Sequence, residues 1–147
     1  MKKSIKPDSR VIENLVNARS MGGNILLNIG PAPDGTMQPE FYERTADLAK
    51  WMAHSKKSLI GAGPLKNWKE ISNVPVTRKG KEWYLHVLPG KVKEITLKSD
   101  IKPVSAKLLQ TNETIKFKKK DNVIIFDLPK TSNGLDDVIV IDWKKLP

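Results

Sequence analysis

Gly22-Gly23-Asn24-Ile25-Leu26-Leu27-Asn28-Ile29-Gly30-Pro31, closed by Asp34-Gly35, is the stretch whose reading governs the rest of the chain. Asn24 to Ile29 reads as a short strand bounded by glycines, with four large apolar residues. Those residues do not alternate strictly with polar ones. That is the pattern of a strand buried on both faces, as in a parallel sheet lying under helices. Such a strand needs neighbours, and no other segment has the same character. The opening part of the chain therefore reads as a piece of a larger α/β domain.

The flanks support this reading. Residues 8 to 21 are expected to form a helix, with Asp8 or Ser9 capping its first turn. Val11, Ile12, Leu15 and Val16 share one face at helical spacing, while Arg10, Glu13, Asn17 and Arg19 avoid it. Gly22-Gly23 ends the helix, because glycine tolerates the left-handed conformation found there. After the strand, Gly30 to Thr36 is a loop with two prolines, two glycines and an aspartate. In a β/α barrel that position is the C-terminal mouth of a strand, where active sites lie. Pro39 suits the first turn of a second helix. Phe41, Thr45, Leu48, Ala49 and Met52 are expected on its buried face, and Lys56-Lys57 complement its C-terminal dipole. Gly61-Ala62-Gly63-Pro64 reads as a linker, which places a boundary between residues 1–63 and 64–147.

Beyond residue 66 the period changes to two. Strands are expected at Val74–Arg78, Glu82–Leu88, Glu94–Lys98, Val104–Gln110, Thr114–Lys118, Val123–Leu128 and Asp137–Trp143. Turn residues such as Lys79-Gly80, Pro89-Gly90, Asp121-Asn122 and Asn133-Gly134 separate them. Short strands at this spacing suggest an antiparallel sandwich. The fold class is thus α+β: a helix–strand–helix piece of a (β/α) barrel, then an all-β antiparallel sandwich.

With 147 residues the chain can bury a real core. It has no cysteine, which excludes disulfides and thiolate metal sites. No stretch approaches the ~18 apolar residues of a membrane helix. Met1-Lys2-Lys3 begins like a signal peptide, but Pro7, Asp8, Arg10 and Glu13 stand where the apolar segment would be required, so none is expected. The net charge is +10. Residues 1–63 carry nine basic and six acidic side chains, and residues 64–147 carry seventeen and ten. Excess positive charge attracts polyanions, but most of these lysines alternate with apolar residues, as on the wet face of a sheet. Lys118-Lys119-Lys120-Asp121-Asn122 reads as a solvated hairpin tip, and neither a nucleic-acid nor a membrane partner is expected.

The opening motif also resembles the last barrel strand of the α-L-fucosidases of glycoside hydrolase family 29. The elements occur in the same order: Leu15-Val16-Asn17, Ser20, Gly22 to Pro31, Asp34-Gly35, Pro39-Glu40 and Leu48-Ala49-Lys50-Trp51. Thr77-Arg78-Lys79-Gly80 and Tyr84-Leu85-His86-Val87-Leu88 resemble the family's C-terminal sandwich more loosely. The resemblance implies retaining hydrolysis of α-L-fucosides with no metal or organic cofactor. It implies fucosylated glycans as substrates of the parent enzyme. Retaining glycosidases use two carboxyl groups about 5 Å apart. In the family the nucleophile Asp and the acid/base Glu precede the matching segment, which begins at about Pro7. No catalytic, substrate-binding or metal-binding residue is therefore carried over, and the chain alone is expected to be inactive. The resemblance leaves the compartment open, since parents of this kind are secreted, periplasmic or lysosomal.

Asn28 and Asp34 are the candidates at the barrel mouth. Asp34 is the best-placed carboxylate, although an Asp in such a turn bonds first to its own nearby backbone. Asp136 and Asp137 are adjacent, so on a strand they point to opposite faces and form no dyad. His54 and His86, the two histidines, lack further ligands at metal spacing. Trp51, Trp83 and Trp143 are expected to be packing residues, and Trp68 a seal at the domain junction. Asn112-Glu113-Thr114 fits a glycosylation acceptor in a turn. The alternative function is an independent β-sandwich module that binds a protein or a carbohydrate. In that case the strand Ile25–Ile29 must be covered, by the rest of a barrel or by a second copy.

Overall fold

The period-two segments of the second half pair into two antiparallel sheets. The computed structural model describes residues 7–147, so the expectations on Met1-Lys2-Lys3 lie outside the described residues. In chain order the elements are helix α1 (Asp8–Ser20), helix α2 (Pro39–Ser55) with a 3₁₀ turn (Lys56–Ser58), strand β1 (Gly63–Pro64) and the short helix α3 (Trp68–Ile71). Strands β2 (Val76–Lys79), β3 (Glu82–Val87), β4 (Ile95–Lys98), β5 (Ser105–Leu108), β6 (Phe117–Lys120), β7 (Val123–Phe126) and β8 (Asp137–Asp142) follow. One sheet has the order β1-β2-β3-β8-β5 and the other β4-β7-β6. The expected strands are therefore present, with ends shifted by a few residues. The Gly63-Pro64 pair, read as linker, is the edge strand beside Thr77 and Arg78.

Strand β3 explains how the layers stack. Its register sets Trp83 opposite Ile141 and Leu85 opposite Ile139, while Tyr84 faces Val140 and His86 faces Val138. Successive side chains leave a strand on opposite faces. Trp83, Leu85, Ile139 and Ile141 point inward and meet Ile95, Leu97, Ile124 and Phe126 of the other sheet. Tyr84, Val138 and Val140 point outward, against Ile12, Val16, Trp51, Leu59 and Ala62. The outer face of the five-stranded sheet is therefore covered by α1 and α2, which is why β3 is buried along nearly its whole length.

The helices depart from expectation in detail. No side chain caps α1: Pro7 is its N-cap residue, and Asp8 pairs instead with Arg44 of α2. On α2, Trp51 and Ser55 are the buried residues, Leu48 and Met52 are partly buried beside them, and Ala49 is exposed. The buried stripe is rotated toward Trp51, because the indole reaches the sheet and a methyl group cannot. Trp83 and Trp143 stack edge to face in the sandwich core, with centroids 5.2 Å apart. Trp68 packs on that same core rather than on the helix layer.

The largest departure concerns Asn24–Ile29. It forms no strand: every residue from Met21 to Pro31 is exposed, and Leu26 retains 88% of its surface. The cause is physical. A strand exists by ladder hydrogen bonds, and among the described residues no neighbouring strand offers them. Backbone bonding stops at Gly23, whose N–H reaches Ala18, and resumes at Ala32, whose N–H reaches Thr36.

Candidate functional site

The unpaired segment and the two helices together form an open groove of about 770 Å³. Ile25, Leu27 and Ile29 line one wall; Val11 of α1 and Phe41 and Leu48 of α2 line the other. Arg44 is the basic residue of this lining, and its guanidinium bonds to Asp8 between the helices. Arg19 anchors the start of the segment. It donates to the carbonyl of Ala62 at 2.6 Å and to Asn24 Oδ1 at 3.2 Å.

The two mouth candidates are not brought to the same place. Asn28 lines the groove. Asp34 lies in the loop beyond it, where Oδ1 accepts from the Thr36 amide at 2.9 Å and from the Thr36 hydroxyl at 2.7 Å. Gly35 adopts φ +85°, the left-handed conformation this turn requires. The Thr36 amide and hydroxyl hold the Asp34 carboxyl below the ordinary carboxylate range. A depressed pKa favours the ordered turn above the ordinary value and withdraws that support as pH falls through the folded value. Replacing Thr36 with alanine should therefore move the Asp34 titration upward, as read by carboxyl chemical shifts. An unchanged midpoint would refute this account of the turn.

The histidines resolve differently. His54 Nδ1 lies 2.7 Å from Ser55 Oγ. Burial lowers its pKa, against the opposing pull of Asp137 and Asp136. His86 is fully buried, with Nδ1 2.7 Å from Asp136 Oδ2 and Nε2 2.9 Å from Thr77 Oγ1. The Thr77 hydroxyl donates its one proton to the Ser58 carbonyl at 2.5 Å. It must therefore accept from His86 Nε2–H. The Trp51 indole N–H donates to the Asp136 carbonyl at 2.9 Å. Asp137, as expected of its neighbour, has other partners: its Oδ1 accepts from the Asn133 amide.

Thr77, His86 and Asp136 thus stand in the order hydroxyl, imidazole, carboxylate. Their burial and the commitment of the hydroxyl to Ser58 make them a structural link from α2 to the sheet, not a nucleophile. Sequence reasoning missed this set because Thr77, His86 and Asp136 share no local motif and sit 50 residues apart at the His–Asp step. The large neighbours of His86 on its own strand face, Tyr84 and Leu88, were the available signal. A histidine among residues buried on both faces must find a partner.

Tyr84 carries a further polar link. Its hydroxyl donates to Glu82 Oε2, and burial, aided by that carboxylate, raises its pKa well above the ordinary phenol value. Among the described residues, no three His, Cys, Asp or Glu side chains come together as a ligand set. No described helix is long and apolar enough to cross a membrane.

Residues 1–57 match the family described as alpha-L-fucosidase. The chain is 36% identical over 84 residues to the tissue alpha-L-fucosidase of Bos taurus, a match covering 57% of this chain and 18% of that protein. It is 37% identical over 82 residues to the Homo sapiens counterpart, covering 54% and 18%. A family 29 alpha-L-fucosidase from Bacteroides thetaiotaomicron superposes with a TM-score of 0.80 at 29% identity, over 95% of this chain and 32% of that one. Alpha-L-fucosidase isoenzyme 1 from Paenibacillus thiaminolyticus superposes with a TM-score of 0.85 at 21% identity, over 97% and 36%, a likeness of fold. The chain thus spans much less than two thirds of the proteins it matches.

Proposed function

We propose that this chain, as a C-terminal part of an α-L-fucosidase of glycoside hydrolase family 29, closes the catalytic barrel and carries the sandwich that braces it. Residues 1–63 are the end of the barrel and residues 64–147 the sandwich. The whole enzyme hydrolyses α-L-fucosides of fucosylated glycans with retention. The observation that carries this reading is the exposed apolar segment Asn24–Ile29, whose backbone has no ladder partner among the described residues. An apolar extended run with two open edges is costly in water and favourable between barrel strands. In this reading its partners are other strands of the same barrel.

In this role Asn28 and the Gly30–Thr36 loop sit at the barrel mouth. Asp34 fixes the shape of the loop through Thr36, and it does not act as nucleophile or acid. The two carboxyl groups that retaining chemistry needs lie in preceding parts of the family pattern. The 147-residue chain is therefore expected to release no aryl alcohol from an aryl α-L-fucoside, even at high protein concentration. Release that scales with protein through successive purification steps, and that disappears in Asp34→Asn, would overturn the assignment.

A further inference from the structure

We propose that the outer face of the three-stranded sheet binds an anionic polysaccharide. The register of that sheet builds the surface. Thr96, Ile125 and Lys118 form one cross-strand row, and Lys98, Val123 and Lys120 form the next. Their neighbours Leu97, Ile124 and Phe126 point into the core, so alternation sends these six outward. The three lysines are exposed, while Val123 and Ile125 are half-buried between them. The result is an apolar stripe flanked by ammonium groups on both sides.

Two observations separate this face from ordinary wet sheet. Strands β4, β6 and β7 contain no acidic residue; Glu94, Asp100, Asp121 and Asp127 lie beyond the strand ends. The other sheet presents its outer face to the helices, so this is the open sheet face of the sandwich. Lysines on edge strands also discourage edge-to-edge pairing, but that role does not call for a face without acids. Like charges held about 7 Å apart along β6, and about 10 Å across the sheet, repel one another. A polyanion relieves that repulsion and releases counterions.

The apolar stripe favours a sugar chain over a nucleic acid. β-Branched side chains suit the C–H face of a pyranose ring, and the six residues include no aromatic on which a base could stack. The choice of polymer draws on the glycan substrate proposed above, but binding is read without any activity. The two readings can therefore fail separately.

The test uses the full chain with dextran sulfate, uncharged dextran of equal length and a short DNA duplex, at two salt concentrations. Dextran sulfate should bind and uncharged dextran should not. Lys98→Glu/Lys118→Glu/Lys120→Glu should weaken dextran sulfate binding by roughly tenfold or more. Lys66→Glu/Lys130→Glu/Lys145→Glu changes the net charge equally at exposed lysines elsewhere, and should leave binding nearly intact. Thermal melts establish that each variant folds, and lysine-to-glutamine versions replace any that do not. Equal weakening by both triple variants would reduce the effect to net charge and overturn the site. Equal or tighter binding of the duplex, lost through the same three lysines, would overturn the polysaccharide assignment.

Discussion

Replacing His86 with leucine is expected to lower the unfolding free energy by about 3–5 kcal/mol, the usual cost of removing one partner from a buried pair. In a chain of this length that corresponds to a fall of roughly 10 °C in melting temperature. Leucine nearly fills the volume of the imidazole, so a cavity contributes little. The cost comes from what remains. Asp136 keeps a fully buried carboxyl whose Oδ1 already has no partner and whose Oδ2 loses the imidazole. Thr77 keeps its bond to Ser58 but loses the donor that filled its lone pair. Removing the second partner as well, with His86→Leu/Asp136→Leu, should recover much of the loss, because an apolar pair of suitable size is often neutral in such a site. Urea unfolding of the two variants measures both quantities. A single-variant cost below about 1 kcal/mol, or a double variant no better than the single, would refute the assignment of this pair as the central fastening of the sheet to the helix layer.

That fastening was the part of the molecule least legible in the sequence. Strands β2 to β8 could be read from alternation and turn residues, because each depends on side chains two apart. Helix α1 could be read from Val11, Ile12, Leu15 and Val16, although its N-terminal aspartate serves Arg44 rather than the helix cap. What alternation could not give was the second use of the five-stranded sheet. Tyr84 and His86 occupy positions that an open sheet would leave wet, and only the helices above them explain their burial. Gly63-Pro64 looked like punctuation because a two-residue edge strand has no period to detect. Asn24–Ile29 gave the opposite case. Its sequence fits a strand buried on both faces, and a sequence pattern records the environment for which a segment was selected. The described residues do not supply that environment, so the pattern is present without the ladder.

Replacing Trp51 with alanine should be comparably severe, at about 3–5 kcal/mol. The indole is only 1% exposed and sits where α2 meets the sheet, among Ile12, Val16, Leu59, Tyr84, Val138 and Val140. Truncation opens a cavity there that two helix axes and a sheet cannot close. It also removes the indole donor from the Asp136 carbonyl, which is then left with the Asn133 amide alone. Phenylalanine separates the two contributions. It retains most of the packing and loses the hydrogen bond, so its cost should fall nearer the ~1 kcal/mol of a single bond plus a small volume deficit. The location of the damage is as informative as its size. The inner core of the sandwich does not include Trp51. Native-state hydrogen exchange of Trp51→Ala should therefore show protection lost first in α1 and α2, and retained in β4, β6 and β7. If all elements lose protection together, the helix layer and the sandwich unfold as one cooperative unit, and a chain that looks like a barrel end docked on a separate module is energetically a single body.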